Sequence, residues 1–566
     1  MACSGRIFAL GAAAVLLCAC HALLSLGSGN GGSSTDHTAS VDAQVTIDGD
    51  IGGSADAKVT TDTNGSLGDG AHDVRADAPV DQAVPLDAMA EGIQTLDQTP
   101  DQPQTPDQTP TPDQTPTPDQ PLPPDLGPDS AVPTGTLTHV WSFSKGNSWA
   151  ESVEGMAADS AGNTYITGYY WDTDDFGGGP LVSAGEADVY VVSYSASGTH
   201  RYSNHYGAAK SDTGTDVAMD GQGNVYVVGY FEGAASFGGA TLTSNGNADA
   251  FIASYTSAGV HRWSKHYGGT SDDYGLAVAV DASGNVFLGG AFRGTADFGD
   301  GPVSSIKKND DDGFIVALTS TGGHRFSRTF GGTNLDEVTA MTSDAAGNLY
   351  LTGAFYGDAS FDAGTTTLNS AGQEDIFLAS YSATGAHRFS KRFGGSGAEV
   401  GYTLAIGTGG QLYLAGKTES SVDFGGGVLT SAGQGDVVLA SFTTAGAHCY
   451  SKRFGGGQHD VGIALAADAF GNIYLTGSFQ GSVDFGGGPL TSKGSTDIFV
   501  ASYSSTLAHR FSKAFGSTDV DHGTGLAVVG LDLYLAGDFA NPMSLGGAQL
   551  SSTGASSDMF VARFGL

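Results

Sequence analysis

Carboxylates are the main chemical resource of this chain, and they recur in register. One acid returns at Glu151, Asp212, Asp273, Asp336, Glu399, Asp460 and Asp521. Grouped acids of this kind concentrate a divalent cation or a cationic ligand through focused negative potential. Acids at such positions also accept backbone N–H bonds and pin turns, and that plainer role competes with the first. Equal groups spread round a ring cannot all touch one ion, so calcium would use a subset of them or bridging waters. A second acid recurs at Asp188, Asp249, Asp312, Asp375, Asp436, Asp497 and Asp558, and is expected to hold a loop N–H. A third set, Asp159, Asp220, Asp281, Asp344 and Asp468, is replaced in two repeats by Gly407 and Val529. A turn role tolerates that gap; a shared site would not.

Other candidates break the pattern. Trp171-Asp172-Thr173-Asp174-Asp175 and Lys307-Lys308-Asn309-Asp310-Asp311-Asp312 are irregular segments. Asp172, Asp174, Asp310 and Asp311 are candidate calcium ligands, although neither segment has full EF-hand spacing. Trp149 and Trp171 could offer aromatic surface to a sugar. A histidine opens the same strand-like run in each repeat, from His139 to His509. These rings fall on separate outer strands, too far apart to share a metal, and are expected to be buried and hydrogen-bonded. His205, His266, His459 and His522 follow no pattern and receive no role. There is no nucleophile elbow and no zinc motif, and no repeat carries a cluster of Glu, His and Arg. The expectation is a protein that is not an enzyme and needs no cofactor, calcium being the one candidate.

The elements that position these residues repeat as well. The runs His139-Val-Trp-Ser-Phe, His200-Arg-Tyr-Ser-Asn, His261-Arg-Trp-Ser-Lys, His324-Arg-Phe-Ser-Arg, His387-Arg-Phe-Ser-Lys, His448-Cys-Tyr-Ser-Lys and His509-Arg-Phe-Ser-Lys stand 61 to 63 residues apart. A fixed period of this size marks stacked or radial repeats. Each repeat divides into four apolar runs of strand length, as in Gly462–Ala467, Asn472–Phe479, Asp497–Tyr503 and His509–Phe515. The last unit ends at Met559-Phe-Val-Ala-Arg-Phe564 without its fourth run, while the run at His139 has no strands before it. The orphan therefore completes the final unit and removes two exposed edges. The fold expected is all-β: a seven-bladed β-propeller of four antiparallel strands per blade, spanning 136–566. The first acid set would then ring one mouth of the central channel.

The segment from Gly455 to Tyr503 combines Gly-Gly-x-x-x-Asp, Ala-x-Asp-x-x-Gly-Asn-x-Tyr-x-x-Gly and Asp-x-Phe-x-Ala-Ser-Tyr. It resembles the bacterial β-propeller repeats called SBBP. The resemblance covers roughly 139–566; it implies an exported or surface protein and carries no catalytic residues with it.

Before the repeats, residues 1–19 hold Arg6 and an apolar run from Ile7 to Leu17, the composition of an export signal. Leu17-Cys18-Ala19-Cys20 resembles a bacterial lipobox, which implies cleavage before Cys20 and lipidation of that thiol. An uncleaved anchor is the alternative, since Ala22-Leu23-Leu24 prolongs the apolar stretch. His21 replaces the aspartate that retains many such lipoproteins at the inner membrane, which favours the outer one. From Gly27 to about Pro133 no hydrophobic period is sustained, and 20–135 reads as a disordered tether. Gln98–Pro128 is nearly all Pro, Asp, Gln and Thr, an acidic polyproline spacer or a glycosylated stalk. Some 30 such residues would span about 90 Å.

The formal charge is -37, from 60 acids against 23 Lys and Arg. That balance repels nucleic acid and anionic lipid heads. With four cysteines, three of them in the leader, no disulfide framework can form. The sequence therefore reads as a monomeric module of the cell envelope, held by lipid at Cys20 and exposed to the periplasm or exterior. It would bind a glycan or a protein. A divergent hydrolase or lyase acting on polysaccharide and a structural envelope component are the two other readings.

Overall fold

A computed structural model describes residues 136–566, apart from 148, 363 and 554–555. The export segment, Cys20 and the tether expected for 1–135 lie outside the described residues. The described part is all-β, with the strands arranged as a β-propeller.

Local chemistry explains the strand pairs. Between the first two strands of the sixth repeat, Asp468 Oδ1 accepts the N–H groups of Phe470 and Asn472, each at 2.8 Å. Its Oδ2 accepts the Asn472 amide at 2.7 Å and the Tyr474 hydroxyl at 3.0 Å. Gly471 supplies the positive φ of 84° that closes the turn. The same network forms at Asp159, Asp220 and Asp344, so the third acid set pins hairpins. Third strands such as Asp436–Phe442 and Asp497–Tyr503 are buried along their whole length, which is why they read as unbroken apolar runs.

The glycine runs have a packing role. Phe485 stacks on Phe499 at 4.2 Å, and Phe298 on Phe314 at 4.4 Å. The glycines that follow make a bed for the repeated histidine: a Cβ on Gly487 would lie 2.9 Å from His509 Nε2. That nitrogen pairs with Ser512 Oγ at 3.2 Å, as His139, His261 and His448 pair with their own serines. These rings are half-buried rather than buried.

Hydrophobic clusters lie between neighbouring blades. One joins Tyr413, Val437 and Leu439 of the fifth repeat to Leu475, Phe499 and Ala501 of the sixth. The innermost strands are Glu151–Ala158, Thr213–Met219, Asp273–Val280, Asp336–Ser343, Glu399–Ile406, Val461–Ala467 and Asp521–Val529. Each packs on the next, and the last packs on the first. The orphan strand Thr138–Lys145 pairs antiparallel with Asp558–Gly565, with Trp141 opposite Arg563 and Ser144 opposite Phe560.

One expectation changes. Seven separate four-stranded sheets do not form among the described residues: four sheets have four strands, one has six, one has eight and three have two. Gly268 and Gly269 pair with Asp297 and Ala296 of the next repeat, and Gly331 and Gly332 pair with Ser360 and Ala359. These ladders weld neighbouring blades together. Glycine is needed there because a Cβ on Gly269 or Gly332 would run into the opposing carbonyl.

Candidate functional site

The first acid set sits inside the wall instead of lining a mouth. Glu151, Asp212, Asp273, Asp336, Glu399, Asp460 and Asp521 are all fully buried. Most hold two loops. Asp273 Oδ2 accepts Gly269 N–H at 2.7 Å and its Oδ1 accepts Arg293 N–H at 3.2 Å. Asp212 does the same for Ala208 and Glu232, and Asp460 for Gly456 and Gln480. Glu399 reaches Gly395 and Ser420. Asp336 accepts Gly332 N–H, Asp521 accepts Ser517 N–H, and Glu151 accepts Asn147 N–H.

The second set is buried beside the first. At five blade junctions, those of Gly146, Gly207, Gly268, Gly331 and Gly394, the two acids face one glycine. A Cβ on Gly268 would lie 2.7 Å from Asp249 Oδ1 and 2.8 Å from Asp273 Oδ2. Two like charges in a dry place disfavour ionisation. Burial, then the Asp249 charge, pushes Asp273 up to about 8 despite the Gly269 bond. Burial, then Asp174 and Asp558, pushes Glu151 up to about 10.

The irregular acids divide. Asp172 is exposed in a left-handed conformation at φ 63°, whereas Asp174 is buried. Asp310 pairs with Lys307 at 2.7 Å, and Asp311 pairs with Arg293 at 2.7 Å. Among the described residues no group of three His, Cys, Asp or Glu side chains is placed to hold a metal by itself. Trp149 is half exposed, and Trp171 lies partly buried near Tyr169, ring centres 6.2 Å apart.

A set of groups on the inner strands went unread in the sequence. The position after the first acid is Ser152, Thr213, Tyr274, Glu337, Val400, Val461 and His522 in successive repeats. Its cross-strand partners include Tyr169, Tyr230, Lys417 and Asp538. Ring closure brings the seventh repeat to the first. His522 Nδ1 pairs with Asp538 Oδ2 at 3.1 Å, and Ser152 Oγ donates to Glu154 Oε1 at 2.7 Å. Burial raises Glu154 to about 7; Ser152 opposes this, the Asp538 charge adds to it, and His522 lowers it. Burial works against charge on His522, but Asp538, Asp521 and Glu154 together outweigh it and raise that imidazole. Glu337 is 2% exposed; burial, then the charges of Glu374 and Asp311, raise it to about 8. Tyr402 lies close enough to feel Glu337, Glu374 and Glu419. The fifth and sixth repeats carry Val400 and Val461 at this position. Variation at one column of an otherwise regular repeat was the available signal.

No family model matches the chain. It is similar to the regulatory protein FlaEY of Caulobacter vibrioides, 24% identical over 335 residues, covering 55% of this chain and 34% of that protein. The chain thus spans about a third of that relative's length. Among solved structures, Sqt1 from Chaetomium thermophilum aligns at 10% identity and TM-score 0.37, over 76% of this chain and 99% of its own. A protein of unknown function from Bacteroides caccae aligns at 9% identity and TM-score 0.29, over 50% of this chain and 78% of its own. Likeness at this level carries no argument. A propeller that is all strand among the described residues fits a binding or scaffold module.

Proposed function

We propose that this chain is a non-catalytic binding module of the bacterial cell envelope, a seven-bladed ring of the SBBP type that engages a glycan or protein on its inner strands. The cyclic packing of the inner strands supports the count of blades. The observation that carries the binding reading is asymmetry. Tyr169, Tyr230, Tyr274, Glu154, Glu337 and the His522–Asp538 pair crowd the inner strands of five repeats, while the fifth carries Val400, Tyr402 and Lys417 and the sixth keeps Val461. A ring needed only for support would have no use for that difference. Tyrosine faces beside carboxylates suit a hydroxyl-rich or basic ligand, and the net charge of -37 disfavours nucleic acid. Lipidation at Cys20 and the acidic tether would hold a monomeric ring away from the membrane, the outer one by preference. Glycan and protein arrays probed with the full chain test this. Signals lost in Glu337→Gln support it, and an array without signal contradicts it.

A second reading, a hydrolase or lyase acting on polysaccharide, is favoured by one feature. Glu154, raised to about 7, stands beside the His522–Asp538 pair. A carboxyl poised near neutrality suits general acid–base work. Turnover on a polysaccharide panel that disappears in Glu154→Gln would establish it; absence of turnover would sink it.

A further inference from the structure

The blade junctions differ in whether a basic side chain stands beside the buried acids. In five of them a basic side chain attends the buried acid pair. Arg392 pairs with Asp375 at 2.8 Å, and Arg453 pairs with Asp436. His266 pairs with Asp249 at 3.0 Å, and His205 lies 3.7 Å from Asp188. Lys493 reaches over Asp497 to the Gly516 carbonyl. Four of these come from one repeated position, the residue before the aromatic that ends the outer strand. At the two remaining junctions that position is Thr329 or Ser144, and neither acid of the pair has an ion-pair partner among the described residues.

These two junctions are Asp312–Asp336 and Asp558–Glu151. Their acids are at most 3% exposed. Glu151 Oε2, Asp312 Oδ1 and Asp336 Oδ1 are sealed from solvent and accept no hydrogen bond. The oxygens converge: a Cβ on Gly146 would lie 2.6 Å from Glu151 Oε2 and 2.7 Å from Asp558 Oδ1. A Cβ on Gly331 would lie 2.9 Å from both Asp312 Oδ1 and Asp336 Oδ2. The two irregular loops add a third acid at these same places. Asp174 acts by its charge on Glu151 and Asp558, and Asp310 acts on Asp312 and Asp336. Lys145 acts on Asp174, and Lys307 pairs with Asp310, but neither reaches the central pair. Unpaired buried carboxylates cost several kcal/mol each in real proteins, on the order estimated for lone ions. Where repeat drift adds acid and base is missing, a proton or another positive charge must offset it.

We propose that the Asp558–Glu151 and Asp312–Asp336 junctions each bind a hard divalent cation, calcium by the chemistry of their oxygen-only donors. Two carboxylates supply the anionic ligands, peptide carbonyls and water complete the shell, and the third acid contributes charge from further out. The first of these sites lies where the two strands that close the ring meet, so the ion would staple the closure.

The full chain, stripped with chelator and titrated with calcium, tests this by calorimetry, metal analysis and thermal unfolding. The expected result is about two ions per chain and a rise of roughly 3 °C in Tm at saturation. Asp336→Asn and Glu151→Gln should each remove one ion. Thr329→Arg installs the basic residue that the fourth and fifth repeats carry, and should also remove one while raising Tm in chelator. Thr329 is exposed, so this variant is expected to fold. No bound calcium and no Tm shift would overturn the proposal. So would an unchanged stoichiometry in Thr329→Arg and Asp336→Asn, which would place the ions on surface acids. A Tm that follows pH but ignores calcium would assign the role to a shared proton, and would equally overturn it.

Discussion

The junction between the fifth and sixth repeats and the junction that closes the ring are built on one frame and differ in whether a base stands beside the acids. Asp436 stands against Gly455 and acts by its charge on Asp460, with Arg453 paired to Asp436 and a quarter exposed. Asp558 and Glu151 face each other across Gly146 with no base between them. In both, the third-strand acid holds a loop N–H, Ala432 in one and Thr553 in the other. The backbone bonds fix the acids; the source of positive charge is free to vary. A repeat therefore conserves what its turns need, and drifts where a mobile charge can substitute.

The largest expected effect follows from this contrast. Arg453→Met leaves Asp436 buried and unpaired and should lose roughly 3–5 kcal/mol in chemical denaturation. Glu151→Gln replaces a carboxyl that burial already holds protonated near neutral pH and, in calcium-free buffer, should cost less than about 1 kcal/mol or stabilise the chain. Equal losses would break the comparison. A smaller effect concerns pH. Burial raises Asp273 to about 8 and Asp212 to about 7, well above the ordinary carboxylate range. The folded chain then binds more protons than the unfolded one between these limits, so stability present below about pH 4 is lost as pH rises to 8. Asp273→Asn should flatten part of that decline; a Tm that is flat or rises from pH 5 to 8 would contradict it. The smallest effect belongs to the common frame. Asp468→Ala removes four hydrogen bonds from a hairpin and should cost about 1–2 kcal/mol. The fifth repeat, which has Gly407 in that place, closes its turn with Gly409 and Gly410 at positive φ instead.

The ring was legible because it depends on counting. The spare run at His139 pairs with the strand Asp558–Gly565, as its likeness to the other outer runs implied. Strand types were legible too, since Asp497–Tyr503 is apolar at most positions and buried throughout. Depth was not. Spacing placed Asp273 at the start of an inner strand but could not tell that Gly269 and Arg293 would close over it. The welded blades were hidden for a related reason: Gly394 and Gly395 have the same composition as Gly268 and Gly269, yet only the latter form a ladder to the next repeat. Glu154 and the His522–Asp538 pair stand far apart in the chain and meet only through closure.

Crystals of the full chain grown with calcium, or with terbium in its place, would yield an anomalous-difference map that tests the charge account most directly. Peaks are expected beside Gly146 and Gly331, with none beside Gly394 and Gly455, where arginines already stand. No peak at either place, or equal peaks at every junction, would contradict it.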